Sequence, residues 1–417
     1  MTLNEDDMRY RILALTAAIL ASTAGGALAQ DGRDARGTAV DRRSNPDFSP
    51  LGVRAGAFLI RPSVTVAGQY DDNVFADERN TIDDYVLVVQ PRLTAGTNWG
   101  RHALNFRTGG EFARFQDFGS EDYDDYYIGG DGRLDIGVDY AATAGANYAR
   151  KHEERGSPND VRGREPVEFD QTNLSLGLSK GVTRITGRVR FDYAGYDFDD
   201  VRGIGNAEID QDNRDRDTYG TAARVGYEFQ PGLATFVEGG YNWVRYDRDS
   251  LRDNEGYRLT AGAAIDLGGI TSGEIFAGYR SQQYDNPAFS NNNGFAFGGN
   301  LLWRPTGLTS VRLSLVNEVA ETIEAGSSGF TANSIGVEVD HELLRNVLLS
   351  ADVRYTSNDY KSSVREDDVW SYGAGARYLV NRNFSVGADW RRTDRASNLL
   401  GADFDRNVFT VRVSGAI

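Results

Sequence analysis

The sequence predicts an all-β fold, an up-and-down antiparallel transmembrane β-barrel of about 18 strands, in the range 16 to 18. Three observations predict it. Segments alternating apolar and polar side chains recur from about residue 63 to the last residue. Short turns and long polar loops strictly take turns between them, as they do in barrels whose turns lie on one side of a membrane and loops on the other. Segments such as 184–196, 308–321 and 347–360 outrun the five or six residues usual in soluble sheets. They suit the roughly 9 to 11 residues a tilted strand needs to cross a bilayer.

Composition agrees. The 417 residues include 48 Gly, 21 Tyr and 20 Phe but only 9 Pro and no Cys. Glycine and aromatic enrichment suits a barrel, and mean hydropathy stays negative because each strand carries half an apolar face. Without cysteine there are no disulfides, thiolate metal sites or cysteine nucleophiles. A net charge of -16 argues against a nucleic-acid partner, since phosphate binding needs Lys and Arg.

In chain order, Arg9 and Arg11 precede an apolar run over 12–21, and Ala27-Leu28-Ala29 offers a small-x-small cleavage site. Residues 1–29 therefore read as a secretory signal peptide, the run being short of a membrane span. Residues 30–55 begin polar and without periodicity, and are expected to be a flexible periplasmic leader, with a partial lumenal plug as the functional alternative. Residues 56–417 are the barrel. Eight short turns fall near residues 99, 137, 181, 231, 268, 305, 345 and 382. Nine longer loops lie at about 71–83, 116–124, 153–166, 199–214, 247–254, 285–293, 323–330, 361–367 and 395–404. The chain ends on the alternating stretch Phe409-Thr410-Val411-Arg412-Val413, a strand suited to sealing a cylinder.

Parity sets the facing. Ile185, Val189, Phe191 and Tyr193 oppose Arg188, Arg190 and Asp192; Val311, Leu313 and Leu315 oppose Arg312 and Glu318; Leu349, Ala351 and Val353 oppose Asp352 and Arg354. A charge on the lipid face at mid-depth costs roughly 2 to 4 kcal/mol, so the charged parity must look inward. The expected pore-lining set is Arg107, Glu111, Arg188, Arg190, Asp192, Arg258, Arg312, Glu318, Asp352, Arg354, Arg377 and Arg412, with Glu228, Glu238 and Asp266 as further carboxylates. Aromatics near segment ends, such as Tyr227, Phe229, Tyr241, Trp243, Trp370, Tyr372 and Tyr378, are expected to form interfacial girdles.

Acidic clusters mark several loops. The element Asp71-Asp72-Asn73 suggests a hard divalent ion, against the plainer expectation that Asp and Asn cap a turn. No cofactor and no enzymatic activity are expected. Only His102, His152 and His341 are present, the second at an outer loop and the others near the opposite turns. No Gly-x-Ser-x-Gly elbow or His-x-x-x-His pair occurs.

The stretch from Pro50 to Pro62, followed by Tyr70-Asp71-Asp72-Asn73-Val74-Phe75, resembles the outer-membrane family called Putative beta-barrel porin 2, as does Leu302-Trp303-Arg304-Pro305-Thr306 with Glu321-Thr322 downstream. The resemblance spans the mature chain and rests on structural motifs; it carries over no catalytic residues. One departure is Ile417, where outer-membrane barrels commonly end in an aromatic. The resemblance implies a channel-like barrel in the outer membrane of a Gram-negative cell, some members being similar to proteins of exopolysaccharide export. Two functions are then expected to compete. One is a porin-like channel passing polar solutes, either saccharides or an exopolysaccharide strand. The other is a closed barrel acting through acidic outer loops. Expected partners are outer-membrane lipid, the barrel assembly machinery and polysaccharide export components.

Overall fold

The computed structural model describes residues 38–417 apart from Ser44, Val182 and Ile204; the expected signal peptide lies outside the described residues. Eighteen long strands form the wall: β2 (Phe58–Asp71), β3 (Asp84–Thr97), β4 (Ala103–Phe115), β5 (Tyr123–Ile136), β6 (Tyr140–His152), β7 (Glu168–Lys180), β8 (Ile185–Phe198), β11 (Arg216–Gln230), β12 (Leu233–Tyr246), β13 (Asn254–Leu267), β14 (Thr271–Tyr284), β15 (Asn292–Thr306), β16 (Thr309–Ala320), β17 (Phe330–Leu344), β18 (Val347–Tyr360), β19 (Glu366–Leu379), β20 (Phe384–Ser397) and β21 (Phe404–Ala416). Three short strands complete the set: β1 (Val53–Ala55), which pairs with β2, and β9 (Val201–Arg202) with β10 (Glu208–Ile209), a small hairpin in the loop before β11.

Every wall strand pairs antiparallel with its chain neighbours, and β21 also pairs with β2 from Ser63–Ala416 to Asp71–Val408, so the sheet closes. The ends interlock further: the Ile417 N–H donates to Pro62 O at 3.2 Å and the Gly52 N–H to Ile417 O at 3.0 Å. Eight turns and nine loops alternate as the sequence predicts, which gathers the turns at one end of the barrel and the loops at the other. Closure removes the free edges that an open 18-stranded sheet would expose. One ladder is short. β15 pairs with β16 only from Gly298–Val316 to Thr306–Thr309, so the loop-end part of β15, residues 292–297, is held by β14 alone.

Side-chain facing follows parity. Leu87, Phe106, Ile128, Leu176, Val189, Val225, Leu259, Ile275, Val411 and Val413 are exposed on the outer surface. Of the aromatics near strand ends, Trp243 stacks on Tyr219 with centroids 5.3 Å apart, and Trp370 on Tyr372 at 6.0 Å. The inner face is not wholly polar. Ala67, Val86, Val88 and Ala113 pack into a buried cluster with Phe115 and Tyr123. β3 is apolar on both parities through Val86-Leu87-Val88-Val89, as a strand covered on both faces must be.

Two segments lie inside the wall. Within the span expected to be a flexible leader, Val40–Arg42 forms a 3-10 turn with Ala39 and Val40 only 3% and 4% exposed. The expectation of flexibility is thus corrected for this piece, because Val40 finds apolar cover and Asp41 finds Arg312, at 2.8 Å. The second segment is the β6–β7 loop at the opposite end. The Asn159 Nδ2 donates to Glu321 O at 3.3 Å, and Asn159 Oδ1 accepts from the Ile323 N–H. Since the β6–β7 and β16–β17 loops lie eight wall strands apart of eighteen, this contact spans the mouth.

Candidate functional site

A strand that presents an apolar face to lipid must place its charged residues on the other face, and neighbouring strands bring those residues into register. Paired charges there avoid the cost of an isolated ion in a low-dielectric wall. On β4 and β5, Arg107 lies 3.0 Å from Asp131, while Glu111 accepts from Gln90 Nε2 at 2.7 Å and from the Tyr123 hydroxyl at 2.5 Å. On β8, Arg190 and Asp192 pair along one strand at 2.7 Å, and Arg188 lies opposite Arg224 in the ladder. Arg224 bridges Glu238 at 2.7 Å and Glu274 at 2.8 Å, and Glu238 also holds Arg258 at 3.1 Å.

The turn-end quadrant continues the pattern. Arg312 joins Glu338, Asp340 and Asp41, the Asp340 contact at 2.8 Å. Asp352 accepts from Arg391 at 3.3 Å, Arg354 donates to Ser334 Oγ at 3.4 Å, and Arg412 pairs with Asp389 at 2.8 Å. Arg377 and Arg412 border a small cavity that Val40 and Asp41 also line. Glu318 sits near the loop end of β16, on the inner parity opposite Ala332. Each wall pair joins strands at most three apart.

At the loop end a second polar layer sits above the wall. Arg155, from the crossing loop, makes two 2.7 Å bonds to Glu121, which is 2% exposed. Arg214 pairs with Glu153 and Gln211, the Tyr246 hydroxyl donates to Glu321 at 2.6 Å, and Arg395 and Arg365 both hold the fully buried Asp367. Asp215, just before β11, has its carboxyl pushed up to about 6 by burial, which the Phe198 N–H bond opposes and the neighbouring Asp197, Asp212 and Asp247 reinforce.

The weak metal candidate is tied up by protein groups. Asp71 accepts from Arg406 Nε at 2.9 Å, Asp72 accepts from the Asn407 N–H at 2.6 Å and from its Nδ2 at 2.7 Å, and Asn73 bonds Asp77 and Asp405. Among the described residues the carboxylates that do converge are Asp200, Asp210 and Asp212, and Arg248 binds two of them. The histidines lie apart: His152 bonds Asp125 at 3.0 Å at the loop end, while His341 meets Thr309 and His102 meets the Asp135 N–H at the turn end.

Parity alone could have nominated Arg224, Glu274 and Asp389, each of which alternates with apolar or glycine neighbours, whereas Asp131 lies between glycines and Arg391 next to Arg392, where the alternation is weaker. Nothing in the parity of the sequence marks Asp41, Arg155 or Asn159, and Glu321 enters only through the family resemblance, since their partners lie far along the chain.

A family model described as Putative beta-barrel porin 2 matches residues 45–416. Solved structures with a similar outline include Pseudomonas aeruginosa OpdO, at 16% identity and TM-score 0.45, covering 86% of this chain and 97% of that one. Another is Pseudomonas aeruginosa OccK2 (OpdF), at 13% identity and TM-score 0.47, with 86% and 98% covered. A BenF-like porin from Pseudomonas fluorescens Pf-5 is similar at 10% identity and TM-score 0.45, with 86% and 99% covered. No curated protein matches the chain.

Proposed function

The chain belongs to the Putative beta-barrel porin 2 family, and from that premise we propose that it is an outer-membrane channel for small polar solutes, saccharides among them. One observation carries the reading. Arginine and carboxylate side chains of the inner face pair with near neighbours along the wall, from Arg107–Asp131 round to Arg412–Asp389, rather than reaching across the lumen. A charged lining held this way leaves the axis to water and imposes a local field suited to hydroxyl-rich or dipolar solutes. The twelve residues expected to line the pore are proposed to do so as members of this shell.

Size favours small cargo over a polymer. An exopolysaccharide strand would meet the β6–β7 loop where Asn159 crosses to Glu321 and Ile323, and the loop would have to leave for the strand to pass. That same crossing favours a second reading, a barrel closed at its outer mouth that acts through its loops. No enzymatic step enters either reading. The outer apolar belt is proposed to meet acyl chains, and the assembly machinery is the proposed route of insertion.

Purified protein in a planar lipid bilayer separates the two. Stepwise conductance, with permeation of neutral sugars in a liposome-swelling assay, is the expected result. A folded, heat-modifiable barrel that inserts and stays silent would reject the channel and leave the loops as the working part.

A further inference from the structure

Buried guanidinium groups in this barrel almost always meet an acceptor, and Arg304 does not. It lies on the inner parity of β15, one residue after the outward Trp303, and is 6% exposed. Its Nε, Nη1 and Nη2 are all buried, and none has a hydrogen-bond partner among the described residues. Leaving so many charged donors unmet is costly, which makes the site a poor piece of scaffold.

A second guanidinium stands beside it. Arg43, in the segment docked inside the turn end, donates through Nη1 to Gly307 O at 2.5 Å, three residues beyond Arg304, while its buried Nε lacks a partner among the described residues. The charges that act on Arg304 are those of Arg43 and of the exposed Asp266, and neither forms an ion pair with it among the described residues. The segment is pinned over this corner by the Val40 N–H on Ser310 Oγ at 3.1 Å and by Asp41 on Arg312. Two positive groups are thus held together, although carboxylates elsewhere in the wall find an arginine.

We propose that Arg304 and Arg43 form a binding site for a small oxyanion, a carboxylate or phosphate group, at the turn-end mouth of the lumen. The planar fork of Arg304 offers Nε–H and Nη–H in parallel, the arrangement that grips two oxygens of one oxyanion, and the buried Nε of Arg43 is a further donor close to it. The exposed Asp266 acts on Arg304 in the opposite sense to Arg43 and so opposes an incoming anion, the more strongly the higher its charge. The site stands or falls independently of conduction, because it is read by binding.

The test uses the full barrel in detergent at low ionic strength, titrated with inorganic phosphate and, separately, with acetate, heat being the readout. Saturable binding of either anion is expected, weakened about tenfold or more in Arg304→Gln and also reduced in Arg43→Gln, since each loses a charge-assisted bond. Binding of phosphate alone assigns the site to phosphate groups, and binding of acetate alone to carboxylates. No saturable binding to the wild-type barrel, or binding unchanged in both variants, overturns the proposal. Should Arg304→Gln fail to fold, Arg43→Gln decides, because Arg43 belongs to no wall strand. Binding without conductance would retain this site while the channel reading fails, and conductance without binding the reverse.

Discussion

At the scale of single residues, the pairs that matter most are those whose removal strands a partner. Glu121 receives both of its strong bonds from Arg155 and is nearly inaccessible. Arg155→Ala would leave that carboxylate buried and alone, a loss of about 3 to 5 kcal/mol for the contact. We expect the crossing loop to detach, seen as protease cleavage within 153–167 under conditions where the wild-type loop survives. Retention of the wild-type cleavage pattern would show that the pair does not hold the loop. Asp215 supplies a pH dependence. Its folded value near 6 lies above the ordinary 3.8, so the protonated form favours the folded loop. That stabilisation is complete below about pH 4 and is lost as pH rises through 6. Amide exchange in 199–215 should therefore be faster at pH 7.5 than at pH 5 after correction for intrinsic rates, and Asp215→Asn should remove the difference.

At the scale of elements, the wall strands and the infolded segments obey different rules. A wall strand needs only parity and length, and its register follows from pairing with the next strand, as in the unbroken ladder from Asn254–Tyr284 to Leu267–Thr271. The β6–β7 loop is shaped by distant partners: Asn159 by Glu321 and Ile323, Arg162 by Gly401 O, and Gly156 O by Arg395. Excising residues 157–163 should raise single-channel conductance while leaving the heat-modifiable mobility of the barrel unchanged. An unchanged conductance would mean that the narrowest point lies elsewhere, the docked 38–43 segment being the other element inside the wall.

At the scale of the whole molecule, closure makes each part depend on all the others. β21 can be satisfied only by β20 on one side and β2 on the other, which ties the last strand to the first across 345 residues or so of chain. The apolar exterior and charged interior are two consequences of one periodicity, and the family to which the chain belongs is defined over this same span. The unusual features gather at the two mouths, with a bridged loop end and a pair of arginines at the turn end.

The sequence by itself determined the wall, eighteen strands joined by alternating turns and loops, because a period of two is a local property that lipid and water read strand by strand. It also held a sign of the apolar inner patch in the double-sided run of β3, which was legible as a run but not as a packed cluster. Only the tertiary structure decided what fills the cylinder. Whether Asp41 meets Arg312, whether Asn159 reaches Glu321, and whether Arg304 is left without an acceptor depend on contacts between residues more than a hundred positions apart. Such contacts leave no periodic trace, since the energy that selects them comes from burial and charge pairing that exist only once the barrel has closed.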